Sequence, residues 1–95
     1  MTTLTIKTYK LGELVSTQTF KHERVVTVKI GRLKSSQVVL DDPLVARMHC
    51  VIEADPDEVR LIDLGSGTGT KLNGEDINKN VSVKDGDVLT VGDHT

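Results

Sequence analysis

The sequence predicts an all-β sandwich, and three observations predict it. Short runs rich in Val, Ile, Leu and Thr alternate apolar with polar residues, the period of half-buried strands. Clusters of Gly, Asn, Asp and Pro interrupt these runs about every 8–12 residues. Nowhere does an apolar i, i+3, i+4, i+7 pattern persist beyond two helical turns. The 95 residues make one small domain, and with Tyr9 and Phe20 as the sole aromatic residues its core must be built from Val, Ile and Leu.

Taken in order, Leu4, Ile6 and Thr8 alternate with Thr5, Lys7 and Tyr9 as a first strand, which Gly12-Glu13 breaks and Thr17–Phe20 answers as its partner. Val26, Val28 and Ile30 alternate with Thr27 and Lys29 and lead into Gly31-Arg32. Val38-Val39-Leu40 is a short apolar run; after the Pro43 loop, Met48, Cys50 and Ile52 share one face and His49 and Val51 the other. Asp55–Glu58 is a turn. Val59–Leu64 and Thr70–Leu72 are strands on either side of a Gly-rich loop, and Asn73-Gly74 is a hairpin signal. Asp85-Gly86-Asp87 turns the chain into Val88–Val91.

Three turn-rich clusters, 31–36, 41–49 and 63–70, lie between these strands, so a sandwich can gather them at one end, where the functional site is expected. The acidic pairs Asp41-Asp42 and Asp55/Asp57 read as solvated turn residues.

Charge and motif spacing exclude several functions. Residues 1–35 carry seven Lys/Arg against two acids and residues 36–95 five against twelve. A net-acidic domain without a basic stripe or stacking aromatics is not a nucleic-acid binder. No apolar run approaches the ~20 residues of a membrane span, and the first residues lack a signal peptide, so neither a membrane partner nor secretion is expected; the reading is cytoplasmic. The single Cys50 fits a reducing compartment, and Asn80-Val81-Ser82 is a glycosylation acceptor only in a secreted chain. Gly65, Gly67 and Gly69 have neither P-loop nor dinucleotide spacing. His22, His49, His94 and Cys50 lack the spacing of a metal site, and no serine has an identifiable base, so neither a cofactor nor an enzyme is expected. Arg32 and Arg47 stand apart: an Arg fork can hold a phosphate by charge-assisted hydrogen bonds, with Lys34, Ser35, Ser36 and Thr68 as further donors.

Gly31-Arg32, Val39–Pro43, Arg47-x-His49, Asp63–Ser66, Gly69-Thr70 and Asn73-Gly74, with Asp85–Asp87 and Val91-Gly92 behind them, resemble the forkhead-associated (FHA) domain over residues 26–92. The resemblance implies a sandwich of two antiparallel sheets with about eleven strands, a non-enzymatic module whose apical loops bind phosphothreonine proteins or peptides in signalling. By position, Arg32 resembles the arginine that grips phosphate, Arg47 that of the Ser-Arg-x-His motif, and His49 the brace between loops; Gly31, Gly65, Asn73 and Gly74 are architectural. The sequence departs from the family at two places: Ala46 replaces the motif serine, and Gly67-Thr68 stand where Thr-Asn is usual. They favour an alternative, a scaffold of the same fold that has lost phosphate dependence. The last strand of the fold is expected to be missing or supplied by another chain, which predicts a homodimer, and the chain is expected to be the N-terminal domain of a longer protein.

Overall fold

The computed structural model describes all 95 residues, in ten strands and no helix. They are β1 (Thr2–Lys10), β2 (Glu13–His22), β3 (Val26–Gly31), β4 (Val38–Val39), β5 (Cys50–Ala54), β6 (Val59–Asp63), β7 (Lys71–Leu72), β8 (Glu75–Asp76), β9 (Asn80–Val83) and β10 (Leu89–Thr90). One layer is a five-stranded sheet in the order β4-β3-β5-β6-β9. The opposing layer comprises the β1–β2 hairpin and a small sheet ordered β10-β7-β8.

The alternation that predicts β3 also sets its register. Val26, Val28 and Ile30 point inward and meet Cys50, Ile52 and Ala54 of β5. One continuous row, Val28–Ile52–Leu61–Val81, crosses four strands, with its first three side chains buried. Each such buried aliphatic contributes about 1.5–3 kcal/mol of transfer free energy. Leu4, Ile6 and Phe20 cover this row from the hairpin side. The core is aliphatic, as the composition requires.

Several elements differ from the sequence pattern. The five-stranded sheet is not wholly antiparallel: β4 runs parallel to β3, pairing Ile30 with Val38 and Gly31 with Val39. The loop between them swings back to the same end, where the Gln37 side chain accepts the Lys29 amide at 2.7 Å and its carbonyl accepts the Gln18 amide at 2.9 Å. β2 extends across Glu13–His22 rather than Thr17–Phe20, because ladder pairing with β1 holds its exposed Leu14 and Val15 in strand geometry through a bulge opposite Thr8/Tyr9. Met48 does not share the inward face of Cys50 and Ile52; it is exposed in the loop before β5, and His49 is the buried residue. β8, Glu75–Asp76, carries no strand periodicity of its own and exists through pairing with β7, whereas Val81 and Val83 of β9 alternate with Asn80 and Ser82 and pair with β6.

Cys50 lies on the inward face of β5 with no exposure. Burial, reinforced by the Asp63 carboxylate, pushes its thiol up to about 12. Native protein at pH 8 should therefore leave Cys50 unmodified by a thiol-reactive dye over hours, with one equivalent reacting after denaturation; rapid native labelling would show that β5 opens readily.

Candidate functional site

The three predicted loop clusters do converge at one end, and main-chain bonds hold them there. The amides of Arg32 and Leu33 donate to the carbonyls of Ala46 and Arg47 at 3.1 and 3.2 Å, fastening the β3–β4 loop to the β4–β5 loop. The amides of Leu40 and His49 donate to the carbonyls of Gly31 and Ile30, and that of Leu64 to His49. At Gly31 the strands come so close that a Cβ would drive into the Arg47 carbonyl, so glycine is required there for space rather than for a special φ.

His49 sits at the junction, fully buried. Its Nδ1 accepts the Ala46 amide at 3.0 Å, and its Nε2 faces the Gly69 carbonyl at 2.9 Å. An acceptor at Nδ1 and a carbonyl opposite Nε2 together specify the Nε2–H tautomer. One ring thus joins the second loop to the third.

Two carboxylates complete the scaffold. Asp63 Oδ1 accepts the hydroxyls of Ser66 and Thr70 at 2.7 and 2.8 Å, and Oδ2 the amides of Gly65 and Ser66. Burial pushes this carboxyl up, but the hydroxyls of Ser66 and Thr70 and then the two amides outweigh it and hold it below the usual range. Asp42 corrects the reading of a solvated turn acid: it is 4% exposed. Its oxygens accept the amides of Asp93 and Leu44 at 2.9 and 2.8 Å, which hold its carboxyl low, and His94 Nδ1 lies 3.4 Å away.

The proposed binding residues fall on this frame as follows. Arg32 is exposed; its Nε donates to the Val45 carbonyl at 3.1 Å, orienting the guanidinium while its two terminal nitrogens make no bond within the protein. Arg47, Lys34 and Ser35 are exposed and Ser36 half-buried, and none of these side chains has an internal hydrogen bond. Thr68 differs: its hydroxyl already donates to the Leu44 carbonyl at 2.7 Å, so only its lone pairs are left for a ligand. Gly65, at φ 83°, forms the start of the third loop. Asn73 and Gly74 lie apart from the loops: they make the β7–β8 turn, both at positive φ, and Asn73 bonds Asp87 and the Val88 amide. Asp42, Asp63 and the carbonyls of Val45 and Gly69 are the organising groups that residue types alone did not single out. Asp63 could have been found from the Asp-x-x-Ser spacing of an Asx turn, but nothing local marks Asp42.

A β-sandwich presenting a buried-histidine brace and two free arginines on loops at one end has the architecture of a ligand-binding module. The FHA domain family matches residues 28–92, and the chain belongs to that family. It is 35% identical over 66 residues to an oxoglutarate dehydrogenase inhibitor of Corynebacterium jeikeium, covering 70% of this chain and 45% of that protein. It resembles the solved structure of Mycobacterium tuberculosis EmbR in complex with a low-affinity phosphopeptide, at 35% identity and TM-score 0.70, covering 72% of this chain and 18% of that one. The FHA domain of CT664 from Chlamydia trachomatis superimposes at TM-score 0.83 and 22% identity over 95% of this chain and 89% of that one, a likeness of fold alone. The chain spans less than half the length of the curated relatives it matches. No helix is long and apolar enough to cross a membrane.

Replacing His49 by Ala removes two buried hydrogen bonds and leaves a void, at a cost of about 2–5 kcal/mol. The melting temperature should fall by at least 8 °C. Gly31→Ala should cost about 1–3 kcal/mol by the same measurement. Because Asp42 and Asp63 are held below their ordinary values, their contribution is intact above about pH 4 and is lost as pH falls through the lower folded values. Urea midpoints should drop below about pH 4, less steeply for Asp63→Asn than for the parent; equal slopes would remove Asp63 from the acid-sensitive set.

Proposed function

We propose that this domain is a phosphothreonine-dependent protein-interaction module in signalling, with the loop end as its binding surface. The observation that carries the reading is Arg32: its Nε is tied to the Val45 carbonyl, its terminal nitrogens are free, and Arg47 is brought alongside by paired main-chain bonds. A guanidinium oriented in this way offers a phosphate two parallel donors without first losing side-chain freedom. Arg32 is the main phosphate anchor. Arg47 and Lys34 add charge, Ser35 or Ser36 supplies the hydroxyl that Ala46 lacks, and Thr68 accepts from the peptide backbone. The EmbR structure, which holds a phosphopeptide, and the FHA domain of FhaA, solved with the intracellular domain of Rv3910, support a protein or peptide partner. The single, buried Cys50, with no second cysteine in these residues to form a disulfide, fits a cytoplasmic setting.

A second reading, a scaffold of this fold that ignores phosphate, has its own support: Ala46 carries no hydroxyl and the Thr68 proton is spent on Leu44. A missing hydrogen bond to a charged phosphate costs about 1.5–3 kcal/mol, or roughly ten- to a hundredfold in affinity. Affinity is therefore expected to be weak and to depend heavily on Arg32.

Fluorescence polarisation with a degenerate phosphothreonine library and its unphosphorylated counterpart separates the two readings. Micromolar binding that needs the phosphate and falls at least tenfold in Arg32→Ala is the expected result; binding indifferent to both selects the scaffold. Phosphothreonine loses most of its second charge below about pH 6, so affinity should fall as pH drops through that value.

A further inference from the structure

Two turns of this domain share one backbone geometry and differ in chemistry. Asn73-Gly74 joins β7 to β8 at φ 52° and 85°, and Leu11-Gly12 joins β1 to β2 at φ 51° and 85°. Such a two-residue turn suits Asn-Gly, because asparagine tolerates the left-handed backbone and glycine has no Cβ to clash. Leucine is bulky and has no side-chain hydrogen bond to offset that conformation. Nor does burial explain it, since Leu11 is 80% exposed. The fold gives no reason for leucine here, and a strained, exposed residue points to a function.

Leu11 is not alone. Leu14 pairs with Tyr9 across the hairpin and Val15 is the extra residue of the β2 bulge; both are exposed, so the three make an apolar tip. Main-chain contacts put this tip at the loop end. The Leu11 amide faces the Asp93 carbonyl at 3.5 Å, the Asp93 amide donates to Asp42 Oδ2 at 2.9 Å, and Oδ1 of the same carboxylate accepts the Leu44 amide. Leu44 is exposed as well, and the next residue, Val45, orients Arg32 through its carbonyl. Exposed leucines thus stand on both sides of the Asp42–Asp93 bond, and the tip is continuous with the surface that carries Arg32.

We propose that the β1–β2 tip is a further contact site for the phosphorylated partner, taking an aliphatic residue that flanks the phosphothreonine. The inference rests on the phosphothreonine reading and adds Leu11 to it as a specificity-determining residue. A tip this small is too slight to hold a partner alone. Beside an anchored phosphothreonine the second contact is intramolecular and adds affinity at little entropic cost. From Arg32 through Val45 and Asp93 to Leu11 the path takes three steps between neighbouring backbones, about 15 Å at strand spacing. An extended peptide advancing about 3.3 Å per residue reaches the tip some four to six residues from its phosphothreonine.

The probes are two pools of phosphothreonine peptides with degenerate flanks of about eight residues, and their unphosphorylated counterparts. One pool has leucine and the other serine fixed at the fourth to sixth places on both sides. In fluorescence polarisation the leucine pool should bind about three- to tenfold tighter. Leu11→Asn should erase that preference and leave the affinity of the serine pool unchanged. The same variant should raise the melting temperature by about 2–6 °C, because it matches the turn chemistry of Asn73-Gly74. Leu14→Thr, at an exposed strand position, should weaken the preference too. Equal affinity for the two pools, a preference that survives Leu11→Asn, or a lower melting temperature in that variant would each overturn the proposal and leave the phosphothreonine reading intact. Binding that ignores phosphate, or no binding of either pool, would remove that reading and the tip contact with it.

Discussion

A single buried imidazole is the constraint on which the loop end depends. His49 stands immediately before β5, where the main chain enters the sheet, and its ring spends both nitrogens on backbone partners from different loops. The ring is fully buried, so a ring nitrogen that loses its partner is left unsatisfied at about 1–3 kcal/mol. The loops are therefore held from within, by a side chain that has no exposed surface. Loops of this length in a small domain would otherwise sample many conformations, and a phosphate grip needs its donors aimed before the ligand arrives.

The acids serve the same end by a different route. Asp63 gathers the third loop around one carboxylate, and Asp42 pins the second loop to the hairpin at Gly92-Asp93. The Asp42 contact is tight: a Cβ on Gly92 would stand 2.7 Å from its Oδ2. Both acids thus organise loops whose exposed cations are Arg32, Lys34 and Arg47. Each of the two carboxylates is satisfied by amides or hydroxyls, which leaves the arginines uncompensated and available.

This division of labour explains how a domain with two aromatic residues presents a defined site. The aliphatic row from β3 through β9 supplies cohesion without direction, while the polar braces, His49 and Asp42 among them buried, supply direction through hydrogen bonds. The Arg32–Val45 bond links the two, since Val45 is buried in the core and its carbonyl orients the guanidinium. In the opposite layer His94 and Thr95 bridge Val91 at the end of β10 to Tyr9 of β1 through main-chain bonds.

Local pattern was enough for β3, β5 and β6, whose alternation matches their burial, and for the Asn73-Gly74 turn, whose residue types tolerate the positive φ found there. It was also enough to place three loop clusters at one end and to set Arg32 and Arg47 apart as candidates, because turn chemistry and charge are properties of short stretches; the bracing role of His49 came from the family resemblance. The parallel seat of β4, the two-residue strand β8, the burial of Asp42 and the spent hydroxyl of Thr68 were not legible in this way. The last two depend on a partner far along the chain: Asp42 meets Asp93, and Thr68 meets Leu44. Residue type determines what a group can donate or accept, but only the packed layers decide which partner stands within 3 Å of it.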